Sequence, residues 1–281
     1  MSAADLATGW LWYLARGSGL VLLGVLTVNV ILGIAIQGGW HPSGWPRFAV
    51  QAIHRNLAIL AVLLLGVHVL TIELDPFVPV GWWALIVPFL SPYRPLWLGL
   101  GTLSLDIFVL VIATSLLRAH MGAKSWRVVH WLVYLSWPLA VLHSLGTGTD
   151  AHLAPAFGYE IACVAAVALA LMVRIGRAAS LDHQSRIALI LATASVPVWI
   201  TAWAASGPLQ AGWAKASGSP AARAVSASGT GEAEQPAVDS ALWLRSPAGA
   251  APMETQGTVG APEPDPGPPG AWGRRIIRSR P

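Results

Sequence analysis

The chain has 281 residues, of which 55% are hydrophobic and only 11% are charged. A soluble domain carries about a quarter charged residues, so this composition excludes an ordinary soluble protein and indicates a membrane protein. The formal net charge of +4 is modest, and we expect membrane lipid, not nucleic acid, to surround the chain.

Six apolar segments follow one another along the chain, each about as long as the 20-residue helix that crosses a bilayer. The predicted spans are residues 15–36, 50–73, 96–117, 126–146, 157–175 and 187–206. The first is too long for the hydrophobic part of a signal peptide, so we expect it to be retained. The sequence therefore predicts an all-α fold, an integral membrane bundle of six transmembrane helices.

The segment between the second and third spans is apolar and aromatic but interrupted by prolines. It reads DPFVPVGWWALIVPFLSPYRP from Asp75 to Pro95. Because proline disrupts helix interiors, we predict a short helix with turns at the membrane interface. Trp82 and Trp83 are the residue type that favours headgroup depth.

Lysine and arginine are unevenly distributed among the short connections between the spans. They collect in the first, third and fifth connections, whereas the second has only Arg94 and the fourth has none. Basic connections remain in the cytoplasm. We therefore predict a multi-pass protein of the cytoplasmic membrane with both termini on the extracytoplasmic side.

The composition changes after about residue 206. Eleven of the 21 prolines lie in residues 207–281, together with many Ala, Gly and Ser. Such a segment cannot bury enough apolar surface to fold. We predict two regions: a six-helix transmembrane domain at residues 1–206 and a disordered tail at residues 207–281.

Four of the eight histidines fall inside predicted spans. His54 and His68 lie fourteen residues apart in the second span, and His130 and His143 lie thirteen apart in the fourth. Since one helix separates these spans, they run in the same direction. The spacing therefore places His54 and His130 at one depth and His68 and His143 about 20 Å away at another.

Ionisable residues inside a bilayer are costly and usually functional. Neutral imidazole is an axial ligand of haem iron, so two facing pairs predict two stacked bis-histidine haem sites. The absence of a CxxCH sequence argues against covalent attachment and favours b-type haem. These haems would form an electron path from one membrane face to the other.

The helical periodicity agrees only in part with this interpretation. Fourteen residues return to the same helix face within about 40°, but thirteen place His130 and His143 about 140° apart on a straight helix. Pro138 lies between them and cannot donate a backbone hydrogen bond. We therefore expect the fourth span to be irregular near Pro138, or the two sites to be offset.

Other interpretations of the histidines remain open. Each histidine could simply hydrogen-bond a neighbouring helix. The chain could also be a histidine-dependent metal or proton transporter, although only Asp106 and Glu160 lie near the spans as further ligands. A structural membrane subunit with vestigial sites is the third possibility.

The two histidine-bearing spans resemble the ferric reductase-like transmembrane domain superfamily. The segments WPRFAVQAIHRNLAILAVLLLGVHVLTIELDPF and SWRVVHWLVYLSWPLAVLHSLGTGTDA are most similar to its bacterial branch, the haem-binding membrane subunit of the methionine-sulfoxide reductase system. This resemblance implies two non-covalent haems, one held by His54 and His130 and the other by His68 and His143. It also implies electron transport outward from a cytoplasmic flavin donor.

One departure from that superfamily concerns the electron donor. Oxidases and eukaryotic reductases of the superfamily carry flavin and nicotinamide domains after the last helix. Here no GxGxxG follows a strand, and residues 207–281 have no composition that could fold as such a domain. We therefore expect the flavin on a partner flavoprotein, or a quinol donor, and an extracytoplasmic redox acceptor. Whether the chain is itself an enzyme stays open.

Three arginines are candidate partners for haem propionates. Arg55 follows His54, and Arg127 precedes His130 by three residues, so both are predicted near the cytoplasmic pair. Arg94 is the single basic residue of the second connection and is predicted near the other pair. Each could equally be a charged anchor at the membrane interface.

Overall fold

The computed structural model describes residues 3–39, 43–75, 80–147 and 154–210, together with residues 213, 217 and 218. Within these residues the chain is all helical, which confirms the predicted fold class. The α-helices are α1 (Ala3–Gln37), α2 (Arg47–Glu73), α3 (Pro95–Leu116), α4 (Ala123–His130), α5 (Val133–Thr147), α6 (Ala154–Gly176) and α7 (His183–Ser206).

Six helical segments are long and apolar enough to cross a membrane. Five are single helices, and α4 and α5 together form the fourth segment, Ala123–Thr147. All six predicted spans are found, with ends that differ by a few residues. Hydropathy identifies them because every backbone polar group must be satisfied inside the segment that crosses the lipid.

Helix α1 lies at the centre of the bundle, where it packs against α2, α5 and α6. Helix α3 packs against α4 and α5, and α6 packs against α7. The main core joins α1, α5 and α6 through Leu23, Val30, Ile34, Trp137, Val141, Leu145, Cys163, Val164 and Val167. A smaller cluster, Leu22, Ala61 and Phe108, joins α1 to α2 and α3.

The segment before α3 has the predicted short helix. Trp82–Leu85 form one 3₁₀ turn, and the side chains of Trp82 and Trp83 are 62% and 73% exposed. Ala84 faces inward, and its carbonyl accepts a hydrogen bond of 2.7 Å from Thr102 on α3. The prolines at positions 76 and 79 lie outside the described residues.

The fourth span is irregular, as predicted, but the break is not at Pro138. Pro138 lies inside α5, whereas the helix is interrupted at Trp131 and Leu132, between α4 and α5. There the amide of Tyr134 bonds the carbonyl of Trp131, the shorter pattern of a 3₁₀ turn. This tighter winding adds about 20° per residue, which turns His130 toward the face that carries His143.

Helix α7 ends at Ser206, where the predicted tail begins. Most of residues 207–281 lie outside the described residues. The described part nevertheless packs on the bundle, because the indole nitrogen of Trp213 donates to the carbonyl of Gly146 at 3.1 Å. Ser217 is also buried. The domain boundary at residue 207 stays a prediction.

Candidate functional site

His54 on α2 and His130 at the end of α4 face each other. Their ring centroids are 6.3 Å apart, and their planes cross at 67°. The sequence predicted that these two residues share a depth, and the structure brings them together. We refer to them as the 54/130 pair.

His68 on α2 and His143 on α5 form a second pair, the 68/143 pair. Their ring centroids are 6.5 Å apart, with the planes nearly perpendicular at 86°. Since both pairs use α2, the fourteen residues between His54 and His68 set the distance between them, about 20 Å along the helix axis. The structure thus contains two imidazole pairs near opposite ends of one bundle.

The spacing within each pair is that of two ligands on one metal ion. An imidazole nitrogen binds a transition metal at about 2.0–2.1 Å, and the ring centroid lies about 1.1 Å behind that nitrogen. Two imidazoles on opposite sides of one metal would therefore have centroids roughly 6 to 6.5 Å apart. Both observed separations agree with this value.

Three of the four histidines are oriented by a backbone carbonyl. The Nδ1 atoms of His54, His68 and His143 lie 3.1, 2.8 and 2.9 Å from the carbonyl oxygens of Asn29, Ala15 and Trp97. A carbonyl only accepts, so each Nδ1 carries the proton and donates it. The lone pair is then on Nε2, which is the usual arrangement of a metal-binding histidine.

His130 differs from the other three. Its Nδ1 is buried and has no hydrogen-bond partner among the described residues. The ring instead stacks on Trp126, with centroids 4.9 Å apart and an interplanar angle of 27°. The guanidinium of Arg118 lies over the Trp126 ring, 4.8 Å from its centroid.

A cavity of about 240 Å³ adjoins the 68/143 pair. Folded interiors leave few voids larger than a water molecule, so this space is not a packing defect. His68, His143, Gly19 and Gly101 line it, and it extends to Phe108 between the helices. It is therefore open to a large apolar group beside both imidazoles.

Several charged or titratable side chains also line this cavity. They are Arg16, Asp75, Tyr93 and Glu160. Glu160 is buried and accepts a hydrogen bond from Ser144, the residue after His143. In the sequence, Glu160 was noted only as one of two acidic residues near the spans, and Asp75 was missed, because a single acidic residue near a span end carries no spacing signal.

Arg94 is only 1% exposed and caps the end of α5. Its Nη1 donates to the carbonyls of Gly146 and Thr147 at 3.1 and 3.0 Å. Its Nε is buried without a hydrogen-bond partner within the described residues. Burial lowers the pKa of Arg94 below its usual value, an effect that Tyr93 opposes and Arg16 strengthens. The residue predicted near the 68/143 pair is thus buried beside it, with one donor unused.

Arg55 and Arg127 have a different setting. Both side chains are exposed, next to His54 and three residues before His130 respectively. They share the end of the bundle that carries the 54/130 pair, and their predicted contact with propionates stays a prediction. Of the remaining histidines, His120 and His183 are exposed, and those at positions 41 and 152 lie outside the described residues.

The donor set of each pair is compatible with a haem. The described residues contain no group of three or more His, Cys, Asp or Glu that could hold a metal ion. Two imidazoles per pair leave four equatorial positions to be filled, and a porphyrin supplies four nitrogens. The ring separations, the Nδ1–H tautomers and the unused Nε of buried Arg94 all fit an anionic porphyrin.

Comparison with known proteins gives no independent assignment. No protein-family model matches the chain, and neither a curated protein nor a solved structure matches it significantly.

Proposed function

We propose that this chain is an integral membrane dihaem cytochrome b of the ferric reductase-like type. The observation that carries the proposal is the pair of facing imidazoles at each end of the bundle, with ring centroids 6.3 and 6.5 Å apart. In this proposal the 54/130 pair and the 68/143 pair are the axial ligands of two non-covalent haems.

The haem would supply reversible one-electron chemistry between ferric and ferrous iron. The chain's own residues would bind, orient and shield it. Carbonyls of α1 and α3 keep three imidazoles in the tautomer that leaves Nε2 free, and the apolar helices exclude water. Arg94 would balance propionate charge at the 68/143 pair, and Arg55 and Arg127 would do so at the 54/130 pair.

The lysine and arginine distribution supports an orientation for this electron path. With the basic connections in the cytoplasm, the 54/130 pair lies on the cytoplasmic side and both termini lie outside. Electrons would enter from a cytoplasmic flavoprotein reductase or a quinol and leave to an extracytoplasmic redox acceptor. The chain would then be the oxidoreductase subunit of a system whose flavin belongs to a partner.

A histidine-dependent metal or proton transporter is the second candidate. It is favoured by the titratable groups that line the cavity with His68 and His143, among them Asp75 and Glu160. Proton carriers place such residues along a water-accessible path. This candidate requires no chromophore, whereas the cytochrome does.

A pyridine haemochrome assay on the purified protein separates the candidates. The cytochrome predicts two haems b per chain and a reduced-minus-oxidised spectrum with a b-type α band. Colourless protein that binds zinc would support the transporter. Colourless protein that binds neither haem nor zinc would indicate a structural membrane subunit and would refute the cytochrome proposal.

A further inference from the structure

The carbonyls that bind the three oriented histidines share one sequence feature. In each case the residue four positions later on the same helix is glycine. The carbonyl and glycine pairs are Ala15 with Gly19, Asn29 with Gly33, and Trp97 with Gly101. We call each of these pairs a socket.

The glycine leaves space for the imidazole to reach the carbonyl. In an α-helix the Cβ of residue i+4 leans back toward the N-terminus, over the carbonyl of residue i. A Cβ on Gly101 would lie 2.5 Å from the Nδ1 of His143, and one on Gly19 would lie 2.9 Å from the Cε1 of His68. Both contacts are too close for any side chain, so these two histidines require glycine.

The third glycine is less tightly packed. A Cβ on Gly33 would lie 3.6 Å from the Cε1 of His54, which is an ordinary contact. The three sockets therefore form a graded series, tightest at Gly101, intermediate at Gly19 and loosest at Gly33. Gly17, on α1 between Ala15 and Gly19, would meet nothing within 4 Å and is the natural control.

The two sockets on α1 have the same spacing as the histidines that they hold. Ala15 and Asn29 are fourteen residues apart, as are Gly19 and Gly33, and as are His54 and His68 on the antiparallel helix α2. Fourteen residues return to nearly the same face. One stripe of α1 therefore presents matched sockets to both imidazoles of α2.

The corresponding register on α3 gives the position where a fourth socket would lie. His143 bonds the carbonyl of Trp97, and Ser104 donates to the carbonyl of Ser136 at 2.9 Å. A step of seven residues toward the C-terminus of α3 therefore corresponds to a step of seven residues toward the N-terminus of α5. Counting a further seven on each, past the break at Trp131 and Leu132, gives Val111 on α3 and Val129 on α4, the residue before His130.

The position counted as a fourth socket has no glycine. Four residues after Val111 the chain has Ser115 where a glycine would be needed, and its hydroxyl donates to the Val111 carbonyl at 2.6 Å. Thr114 donates to the same carbonyl at 3.1 Å. This oxygen is already used twice, which agrees with the buried Nδ1 of His130 having no partner among the described residues.

We infer that these sockets are positioning elements that make the two haem sites electronically unequal, an inference that rests on the proposed function. A hydrogen bond from Nδ1 to a carbonyl makes the imidazole a stronger donor to its metal. It therefore favours the ferric state and lowers the reduction potential. The 68/143 pair has two such bonds and the 54/130 pair has one, so the sockets lower the potential more at the 68/143 pair.

Glycine-to-alanine variants test the sockets one at a time. Gly101→Ala and Gly19→Ala should weaken haem binding at the 68/143 pair by about 10- to 100-fold. In the haem that remains at this pair, the ferrous state should be favoured about tenfold more than in the wild type. This raises the reduction potential by about 59 mV for one electron. Gly33→Ala should show the smallest change, and only at the 54/130 pair. Gly17→Ala should change neither site. Because alanine favours helix more than glycine does, this control should not destabilise α1.

The measurements are redox titration of each haem and the EPR spectrum of the ferric protein. That spectrum depends on the angle between the two imidazole planes, so it reports ligand orientation. Potentials and spectra in Gly101→Ala and Gly19→Ala that match those of Gly17→Ala would overturn the inference. A change of equal size at both haems would do so too.

Ser115→Gly tests the position counted as a fourth socket in the opposite direction. It removes one donor from the Val111 carbonyl and opens space beside it, so that the Nδ1 of His130 gains an acceptor. The reduction potential at the 54/130 pair should fall by about 59 mV, which is about a tenfold change in the equilibrium constant between ferric and ferrous haem. The potential at the 68/143 pair should not change. Ser195→Gly, at a half-buried serine of α7 whose hydroxyl bonds only within its own helix, is the control. An unchanged potential would exclude Ser115 as the cause of the difference.

The haem-free protein separates failure of this inference from failure of the proposed function. If the wild type binds no haem, the function is wrong, but ¹⁵N spectra of its histidine side chains still report the tautomers. Three Nδ1–H imidazoles, with the His68 and His143 signals shifted in Gly19→Ala and Gly101→Ala respectively, would support the sockets. Equal tautomer mixtures at all four histidines would refute them.

Discussion

The two histidine pairs have nearly equal ring separations but different surroundings. The 68/143 pair lies beside a cavity, with both Nδ1 atoms bonded to carbonyls and the buried Arg94 close by. At the 54/130 pair only His54 has such a bond, His130 stacks on Trp126, and the nearby Arg55 and Arg127 are exposed. Equal ligand spacing therefore does not make the two sites equivalent.

Under the proposed function, a lower potential at the 68/143 pair would oppose electron transfer outward from the 54/130 pair. Ligand basicity, burial and nearby charge are the means by which a protein sets the potential of a haem. The sockets would lower the potential of a haem at the 68/143 pair, whereas the positive charge of buried Arg94 would raise it by favouring the reduced state. The balance of these two effects can be measured by changing each separately.

The largest expected effect comes from removing an axial histidine. His68→Ala or His143→Ala should reduce the haem content from two per chain to one, and the remaining haem at the 54/130 pair should still be reduced by a cytoplasmic flavin donor. His54→Ala or His130→Ala should remove the other haem. The pyridine haemochrome assay measures the stoichiometry.

His183→Ala is the control for these variants, because His183 is exposed at the start of α7. It should retain both haems. Loss of both haems from a folded single variant would show that the two pairs are not independent sites. The differences in their surroundings would then not define two separate haem environments.

Arg94→Ala should have the next largest effect. The change leaves the carbonyls of Gly146 and Thr147 without their charged donor at a buried position. Loss of such bonds costs about 3 kcal/mol. We expect haem loss at the 68/143 pair and a lower unfolding temperature, measured by absorbance during a thermal ramp. Arg177→Ala, at an exposed arginine, should change neither. Equal loss at both pairs would contradict a local role for Arg94.

Hydropathy and residue spacing predicted much of this fold. The six spans follow from composition alone, since lipid requires long apolar helices. The shared depths of His54 with His130 and of His68 with His143 follow from counting residues along two parallel spans. These features are local properties of each helix, which is why the sequence shows them.

Features that depend on contacts between helices were not predictable. The break in the fourth span was expected near Pro138 but lies at Trp131 and Leu132, because the packing of both histidines decides where the helix winds more tightly. The sockets depend on the register of α1 against α2. Gly19 carries no signal in the sequence until His68 is known to lie beside it.

Shortening the chain should affect the 68/143 pair more than the 54/130 pair. Trp213 packs on Trp97 with ring centroids 5.5 Å apart and donates to Gly146. Trp97 also provides the carbonyl that His143 bonds. A chain ending at Gly207 should therefore lose about 2 kcal/mol of stability at this end, whereas one ending at Gly218 should not.

Haem retention on dilution measures the effect of shortening, with the two lengths compared side by side. Trp213→Phe keeps the ring contact but removes the hydrogen bond, so it should fall between them. Identical retention in both shortened chains would mean that the contacts of Trp213 contribute nothing to the site.

Alkaline pH should destabilise the 68/143 end through Tyr93. Burial raises the pKa of Tyr93 above its usual value, and Arg94 and Arg16 only partly oppose this. Between the unfolded pKa of about 10 and the higher folded value, the unfolded chain has released the proton and the folded chain has not. Stability is thus full below pH 10 and falls as the pH rises. In Tyr93→Phe, stability should decrease less steeply with pH, by a difference in slope that corresponds to release of up to one proton. The unfolding temperature measured at several pH values gives this slope. An unchanged slope would exclude Tyr93.

The smallest expected effect lies between the two pairs, at Ser104 and Ser136. Each hydroxyl donates to the other residue's carbonyl, at 2.9 and 3.0 Å, and joins α3 to α5 midway along the bundle. Hydrogen bonds between membrane helices contribute about 0.6 kcal/mol on average, so Ser104→Ala or Ser136→Ala should lower the unfolding free energy by roughly that amount. Because the contact joins α3 to the span that carries His130 and His143, both haems should shift slightly and together. Ser195→Ala, at a half-buried serine whose hydroxyl bonds only within α7, controls for loss of a hydroxyl. A shift confined to one haem would show that the α3–α5 register does not link the two ends, and that each pair is positioned by its own contacts alone.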